Sequence, residues 1–499
     1  MRRRRPTGSE NDIASWTLAL WLPIAAMGGG IAATGAYFGL LWLVSSDLVP
    51  KAAQAGALNP YDIARSAIIL LGAVAATIGL VFALRRQIVS ERKLRIDRAD
   101  FKHREQVEEF RRKEAKDAET QRRSEWHAER NAERIRDLRS RYVTCAQQLA
   151  DPAEAVRLAG AYGMAQLATE WDDRAQMQSC IDVLCAYLRM PARTVSTFPG
   201  APPAVPAGEL EVRESIVKIL VQHLRDEDDG FWQGASIDLS GAVLEYGNFS
   251  GCRFTGIADF GGARFASRAR FDKCQFSVSA DFRAAHFDQD VTFARARFEG
   301  QSLMQDARFE GRCDFASVNF LKRFVGTHTR FMLGANFSGA HFWTFVDLSD
   351  SYFGLKAGFA SAILDGDVNF TDSTFLAEAD FYQTRFSKGI GFNKSVFAGT
   401  FRFDESTVRG GAGFNETTFA KRASLQRSEF QGGLKLADVT ASADLLLDWS
   451  QIRTRWTLDR SVFGGLFGVA KVTSHVMPSE VDTVYAKSPN WAAMTTPTV

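Results

Sequence analysis

The usual signatures of catalysis are missing from this sequence. Its 499 residues contain no glycine-rich nucleotide loop, no zinc-ligand spacing, no nucleophile elbow and no paired carboxylates in a pocket-forming context. No enzyme activity, cofactor or metal is therefore expected. Cysteine is scarce: there are six, and the one close pair, Cys180 and Cys185, lacks metal-site spacing. They read as reduced thiols, so no disulfide framework is expected. An excess of one charge is lacking too, with 60 Lys and Arg against 58 Asp and Glu, a net +2. That balance carries no signal for a nucleic-acid partner.

Charge is absent altogether from Ile13 to Ser46 and from Ser66 to Leu84. The first run exceeds the ~20 apolar residues that cross a hydrocarbon core, and the second, at 19, is just sufficient. A signal peptide does not fit, because the first run is too long and no soluble domain opens before the second. Arg2 to Arg5 precede the pair and Arg85, Arg86, Arg92 and Lys93 follow it, so the expectation is a helical hairpin with both flanks cytoplasmic. Gly35 and Gly39 form a GxxxG, whose role would be packing against the second span or dimerisation.

Residues 85 to 141 contain neither proline nor glycine and are dense in charge. Their sparse apolar positions (Phe101, Val107, Phe110, Ile135) predict a solvated helix rather than a sustained coiled-coil seam. If continuous, it would reach on the order of 80 Å from the bilayer at 1.5 Å per residue. Asp151-Pro152 reads as a helix start, and the apolar pattern from Val156 to Leu188 predicts two packed helices ending at Met190-Pro191. A Pro-rich linker follows, and then an amphipathic helix carrying Ile216, Ile219, Leu220 and Leu224.

What the sequence does have is phenylalanine: 39, against nine Tyr and ten Trp. In SADFRAAHFDQDVTFARARFEG, residues 279–300, Phe falls at 282, 287, 293 and 298, with gaps of five, six and five. Calling each large apolar residue position i, the alternation continues with few lapses to Leu447. Position i−2 is small (Ala280, Ala285, Ala296, Cys313) and i−1 polar (Asp281, His286, Arg297), so i and i−2 face inward along an extended backbone and i−1 faces out. A helix is excluded, since at 100° per residue Phe287 would lie about 140° from the face shared by Phe282 and Phe293. Four units return a ring every 22 residues, giving columns such as Phe287, Phe309, Phe331, Phe353 and Phe375. One column lapses at Gly326, where Phe324 or Val325 is expected to compensate with a local distortion.

The local matches SADF, CDF at 313–315, GANFSGAHF at 334–342 and EADF at 378–381 resemble the pentapeptide-repeat family. The resemblance implies a right-handed parallel β-helix whose square coils are filled by i and i−2, although this period is about 22 rather than the family's usual twenty. Some members mimic DNA and bind type II topoisomerases; here acidic and basic residues nearly balance, which argues against a polyanion. Cys252 and Cys274, 22 apart at i−2, are read as buried small fillers in preference to a metal or redox pair.

The expected fold class is mixed: two N-terminal transmembrane helices, a long charged helix and small helical region, then a right-handed parallel β-helix. The expected boundaries are a basic terminus 1–19, spans 20–45 and 66–84 around an external loop 46–65, and a stalk 85–141. Then come a helical region 142–191, a linker 192–208, a capping helix 209–228, the repeat 233–449, and a cap and tail 450–499. The expected partners are the lipid bilayer, through 20–45 and 66–84, and an unidentified protein on the repeat surface; a homo-oligomer stays open. The expected location is a bacterial inner membrane with both termini cytoplasmic. The function expected is a membrane-anchored, non-catalytic interaction scaffold, with an oligomeric membrane sensor or channel-like assembly as the alternative from another class.

Overall fold

The computed structural model describes residues 60–194, 204–225 and 232–495, together with isolated positions between 27 and 42. The chain divides into two compact units, Met1–Glu129 and Arg130–Val499. In the first, residues 60–129 belong to helix α1 (Pro60–Leu149). From Phe101 onward its side chains are almost all exposed, and ion pairs such as Arg112–Glu108 and Arg123–Glu119 link successive turns. This is a solvated helix, as its charge density dictates.

The membrane hairpin expected from hydropathy is corrected. Among the described residues no helix is long and apolar enough to cross a membrane. Most of the span at 20–45, the terminus before it and the loop to residue 59 lie outside the described residues. The run 66–84 is only the early part of α1; at 1.5 Å per residue it covers about 28 Å, short of the ~30 Å hydrocarbon core, and it passes straight into Arg85 and Arg86. The transmembrane portion of the fold class and the inner-membrane location are withdrawn with it. Around Gly35 and Gly39 no described residue lies within 4 Å of the position a Cβ would take.

In the second unit the end of α1 packs with α2 (Glu154–Glu170), α3 (Arg174–Arg189) and α4 (Ala207–His223). The residues that met in sequence as apolar periodicity form the core here: Met164, Leu167, Ile181, Leu184, Ile216 and Leu220 are fully buried beside Leu138 and Leu149 of α1. Gly160 lets α2 cross α1 closely, since a Cβ there would stand 2.8 Å from Gln148 Cβ and 2.9 Å from Leu149 N. The start of α2 lies two residues later than expected. Asp151 does accept a backbone N–H, but from Ala153 in an Asx turn, and Ala153 itself is the cap. By contrast Asp173 caps α3 through Ala175 N, and α3 stops before Met190-Pro191. Residues 195–203 of the linker lie outside the described residues.

The rest of the unit is a parallel β-solenoid with four outer faces. Each face is a ladder of two-residue strands. Face 1 runs from Ile237–Asp238 to Trp456–Thr457, face 2 from Val243–Leu244 to Val462–Gly468 and Val484–Lys487, face 3 from Gly247–Asn248 to Leu445–Leu446 and face 4 from Arg253–Phe254 to Thr473–Ser474. Faces 1 and 4 each hold 11 strands. Successive strands pair in register 22 residues on, as Phe287 with Phe309 and Phe298 with Phe320. The regular pairing continues past Leu447: Trp456 sits opposite Leu434 on face 1, and Val462–Gly468 runs unbroken from face 2 into face 3.

The uneven spacing has a local cause. Corners from face 1 to 2 and from face 3 to 4 are tight turns closed by a hydrogen bond such as Ala285 N to Phe282 O. Their third residue has positive φ, recurring every eleven positions at Lys273, Ala284, Arg295 and Asp306, as a type II turn requires. The other two corners hold three residues between strands rather than four; because i follows the strand on faces 1 and 3 but is the strand's second residue on faces 2 and 4, the gaps from i to i alternate between five and six. In these shorter corners glycine often stands where a side chain would meet the coil before: a Cβ at Gly300 would lie 1.5 Å from Val278 O.

Inside, the rings stack in columns. Phe265–Phe287 and Phe287–Phe309 centroids are 4.6 and 4.8 Å apart, Phe293–Phe315 and Phe315–Phe337 4.8 and 4.7 Å, all within 6° of parallel. Free aromatic pairs prefer offset or edge contacts, so this parallel stacking is imposed by the ~4.8 Å repeat of the strands. Edge contacts are made across the interior instead, as between Phe271 and Phe282 at 5.4 Å and 83°.

At Gly326 the expected distortion does not occur. Phe324 fills the space from position i−2, lying 4.8 Å from Phe320 and 5.7 Å from Phe342, while its strand keeps regular register with Ser302 and Val346. A large residue at i−2 and none at i exchange places without moving the backbone. A second exchange was not anticipated. Phe401 occupies an i−2 site, and Phe403 leaves its own column to stack between Phe386 and Phe430, at 5.5 and 6.0 Å, above the smaller Val408.

Candidate interaction surface

The solenoid interior is occupied by side chains throughout, and every i residue from Phe249 to Phe430 but Gly326 is an apolar side chain almost wholly buried. A shallow groove of about 170 Å³ lies beside the helices, lined by Arg134, Leu138, Trp171 and Asp173 among others. It is smaller than the ~300 Å³ at which small-molecule pockets begin. Chemistry, if any, must therefore be sought on the outside.

The cysteines point inward. All six are free and buried. Burial pushes the thiols of Cys185 and Cys252 up to about 12 and that of Cys180 up to about 11, and Cys274 and Cys313 are raised well above the ordinary value by the same desolvation. They are therefore poor nucleophiles and poor metal ligands. Among the described residues no group of His, Cys, Asp and Glu could hold a metal ion. Cys274 Sγ donates to Phe249 O at 2.9 Å, 25 residues back. Further along, Ser351, Ser373, Thr384, Ser395, Thr417 and Ser428 donate to the carbonyl 25 residues back in the same way. The small i−2 residue thus has a second use that the sequence pattern did not disclose: its hydroxyl or thiol satisfies a buried carbonyl.

The polar i−1 residues are not uniformly outward. Asp281 is only 7% exposed, because Arg283 folds over it with Nε 2.9 Å from Oδ2; Asp380 is similarly covered by Lys356 and Arg402. Nor do Asp281, His286 and Arg297 share a face, since they stand on faces 1, 2 and 4 in turn. Several of the outward charges are met by an opposite one nearby. Arg297 Nε pairs with Glu299 at 2.8 Å, Arg264 with Asp288 at 2.9 Å, Arg308 with Glu310, and His286 Nε2 lies 3.5 Å from both Asp288 and Glu310. This local neutralisation is the opposite of a polyanionic rod.

The nearest approach to a catalytic grouping is His341, Asp365 and Ser387 on face 4. His341 Nε2 lies 2.7 Å from Asp365 Oδ2 and stacks on Trp343, and Ser387 Oγ donates to Asp365 Oδ1 at 2.7 Å. Partial burial would push Asp365 up, but hydrogen bonds from His341 and Ser387 outweigh it and hold the carboxyl below its ordinary value. The hydroxyl donates to the carboxylate, and no base lies against it in the order a nucleophile needs. The group links three successive coils.

Helices cap the N-terminal end. Arg213 of α4 donates to Leu188 O at 2.7 Å and to Val243 O at 3.0 Å, and Arg189 binds Asp238. Arg174 reaches Gly234 O at 2.7 Å, Gln178 bonds Ser236, and Arg253 N donates to Leu224 O. His223 stacks on Trp232 at 4.4 Å. The first coil's open strand edge is thereby covered, as a solenoid end requires.

Four ladders in constant register, closed around stacked rings and capped by helices, define a β-solenoid repeat protein. The family described as Pentapeptide repeats (9 copies) matches residues 239–286, 274–319 and 392–440. Over those three stretches the chain carries pentapeptide repeats. The stretch around Gly326 and Phe324 lies outside those matches, yet its strands pair without interruption. No curated protein and no solved structure matches the chain.

Proposed function

We propose that the chain is a non-catalytic protein-interaction scaffold, presenting the outer faces of its solenoid to other proteins. The observation that carries this reading is the filled interior: with rings stacked coil upon coil, sequence variation reaches solvent only on the four faces. Such extended surfaces suit protein partners. The raised, buried thiols and the self-paired charges support the same reading and give no support to a DNA-mimicking role. The test is affinity capture with the full-length chain and with variants in which the i−1 residues of one face at a time are scrambled. Enrichment of a defined protein that one scrambled face abolishes is the expected result. If every scrambled variant captures what the natural chain captures, the surface is not a specific binding face.

A further inference from the structure

The corner between faces 4 and 1 changes character in steps along three successive coils. It reads Leu321-Lys322-Arg323, then Trp343-Thr344-Phe345, then Asp365-Gly366-Asp367. Two cations, two aromatic rings and two carboxylates therefore follow one another at intervals of ~4.8 Å. Trp343 is 53% exposed, and the corners on either side, Glu299-Gly300-Gln301 and Ser387-Lys388-Gly389, carry no aromatic residue. All three coils fall in the stretch 320–391, which the family matches leave out.

Both rings are held in place. Trp343 stacks on His341 with centroids 4.3 Å apart, and His341 is itself fixed by Asp365, 2.7 Å away. The Arg323 guanidinium lies over Phe345, 5.0 Å from the ring centre. Leu321, one coil before Trp343, and Ile363, which pairs with His341 one coil on, are half-buried and widen the apolar ground around the indole. A large ring that is exposed yet already locked loses little freedom when a partner packs on it, which is the character of an interface anchor.

We propose that this corner docks an extended segment of another protein in which an acidic, an apolar and a basic residue follow one another at alternate positions. The proposal deepens the scaffold reading and rests on it. The apolar residue packs on Trp343, the acid meets Lys322 and Arg323, and the base meets Asp367 beside Asp365. The order of charges selects this occupant. The cationic and anionic corners stand two coils, ~10 Å, apart, and alternate residues of an extended segment place acid and base ~13 Å apart at the backbone, a difference that long side chains close. Beyond the three coils the signs reverse, with Glu299 before and Lys388 after, so a uniformly acidic or uniformly basic segment meets like charge. One anchor flanked by two charge pairs is a small interface of the weak, transient class.

Random peptides displayed on phage are selected on the immobilised full-length chain and on two variants, Trp343→Ala and Lys322→Glu combined with Arg323→Glu. The replaced side chains are exposed, and circular dichroism checks that each variant keeps the solenoid. Peptides recovered on the natural chain are expected to share the order acid, apolar, base. Recovery of those peptides should fall about tenfold or more on W343A, and the charge-reversed variant should select peptides with a base in place of the acid. Recovery with no common order, undiminished recovery on a folded W343A, or the same peptides from the charge-reversed variant as from the natural chain would overturn the proposal. Should W343A fail to fold, the charge-reversed variant decides by itself. None of Trp343, Lys322 and Arg323 is an i−1 residue, so scrambling the i−1 residues of each face tests the scaffold reading separately.

Discussion

The helical cap and the solenoid solve burial in different ways. The solenoid buries rings of one kind in columns, each coil touching only the coils next to it. The cap buries charge: Arg157 Nη2 lies 2.9 Å from Glu209 Oε2 with both side chains almost wholly enclosed, and Tyr187 Oη donates to the same carboxylate at 3.0 Å. Arg157 also donates to the carbonyls of Asp151 and Pro152, satisfying the bend between α1 and α2. A periodic apolar core tolerates exchange of volume between neighbouring positions, as Phe324 and Gly326 show. A buried ionic network tolerates none, because each member is the condition for burying the others.

The largest effects test that contrast directly. Phe337→Ala, in the middle of an intact column, is expected to cost about 3–5 kcal/mol in urea unfolding followed by circular dichroism. Glu209→Ala is expected to cost a similar ~3–5 kcal/mol by leaving Arg157 buried and unpaired. The two should differ in location: hydrogen exchange should quicken in coils around Phe337 for the first and in α2 to α4 for the second. Uniform loss of protection in both variants would erase the distinction.

A smaller effect sharpens the idea of exchangeable volume. Gly326→Leu alone should cost about 1–3 kcal/mol, because a Cβ there already stands 3.0 Å from Leu348 Cδ2 and 3.2 Å from Phe324 Cε1. Phe324→Ala alone should cost about 3–5 kcal/mol. The double variant should recover at least half of the summed loss, since it restores the ordinary small-large order of the repeat. Strict additivity in the double-mutant cycle would show that Phe324 does not stand in for the missing ring.

The smallest effect concerns pH. The Arg141 guanidinium, hydrogen-bonded to Glu170, holds that carboxyl below its ordinary range despite partial burial. Its folded-state value is depressed, so the pair's contribution is complete above the ordinary Glu value of ~4.3 and fades as pH falls through the lower folded value. Arg141 is well exposed, so the contribution is no more than about 1 kcal/mol. Between pH 6 and pH 3 the wild type should lose slightly more stability in the cap than Arg141→Ala does, read as amide protection in α2. An identical pH slope in the two would remove the pair from the account.

Much of the solenoid was legible from the chain, and the reason is specific. Phe287, Phe309 and Phe331 stand 22 apart because each must fall above the last, so the vertical repeat of the structure is written as a sequence interval. Other features had no such trace. Asp281 looked outward, but its burial depends on how Arg283 folds back. Asp281, His286 and Arg297 looked like one face because the chain places them close together, whereas each corner turns the next strand onto a new side. Phe403 leaves its column only because Val408 is small. The hydroxyls of Ser373 and Thr384 could be counted as small residues, but their acceptors lie 25 residues away. Hydropathy overreached at residues 66–84, where a run of barely adequate length is the start of a longer, charged helix.

The order of residues by itself determined the coil length, the inward and outward positions and the identity of the stacking rings, because a backbone that repeats every ~4.8 Å translates spacing directly into contact. Tertiary structure alone decided which charges neutralise one another and which small side chains satisfy a carbonyl. Those depend on neighbours brought together around corners and between coils, and no interval in the sequence encodes them.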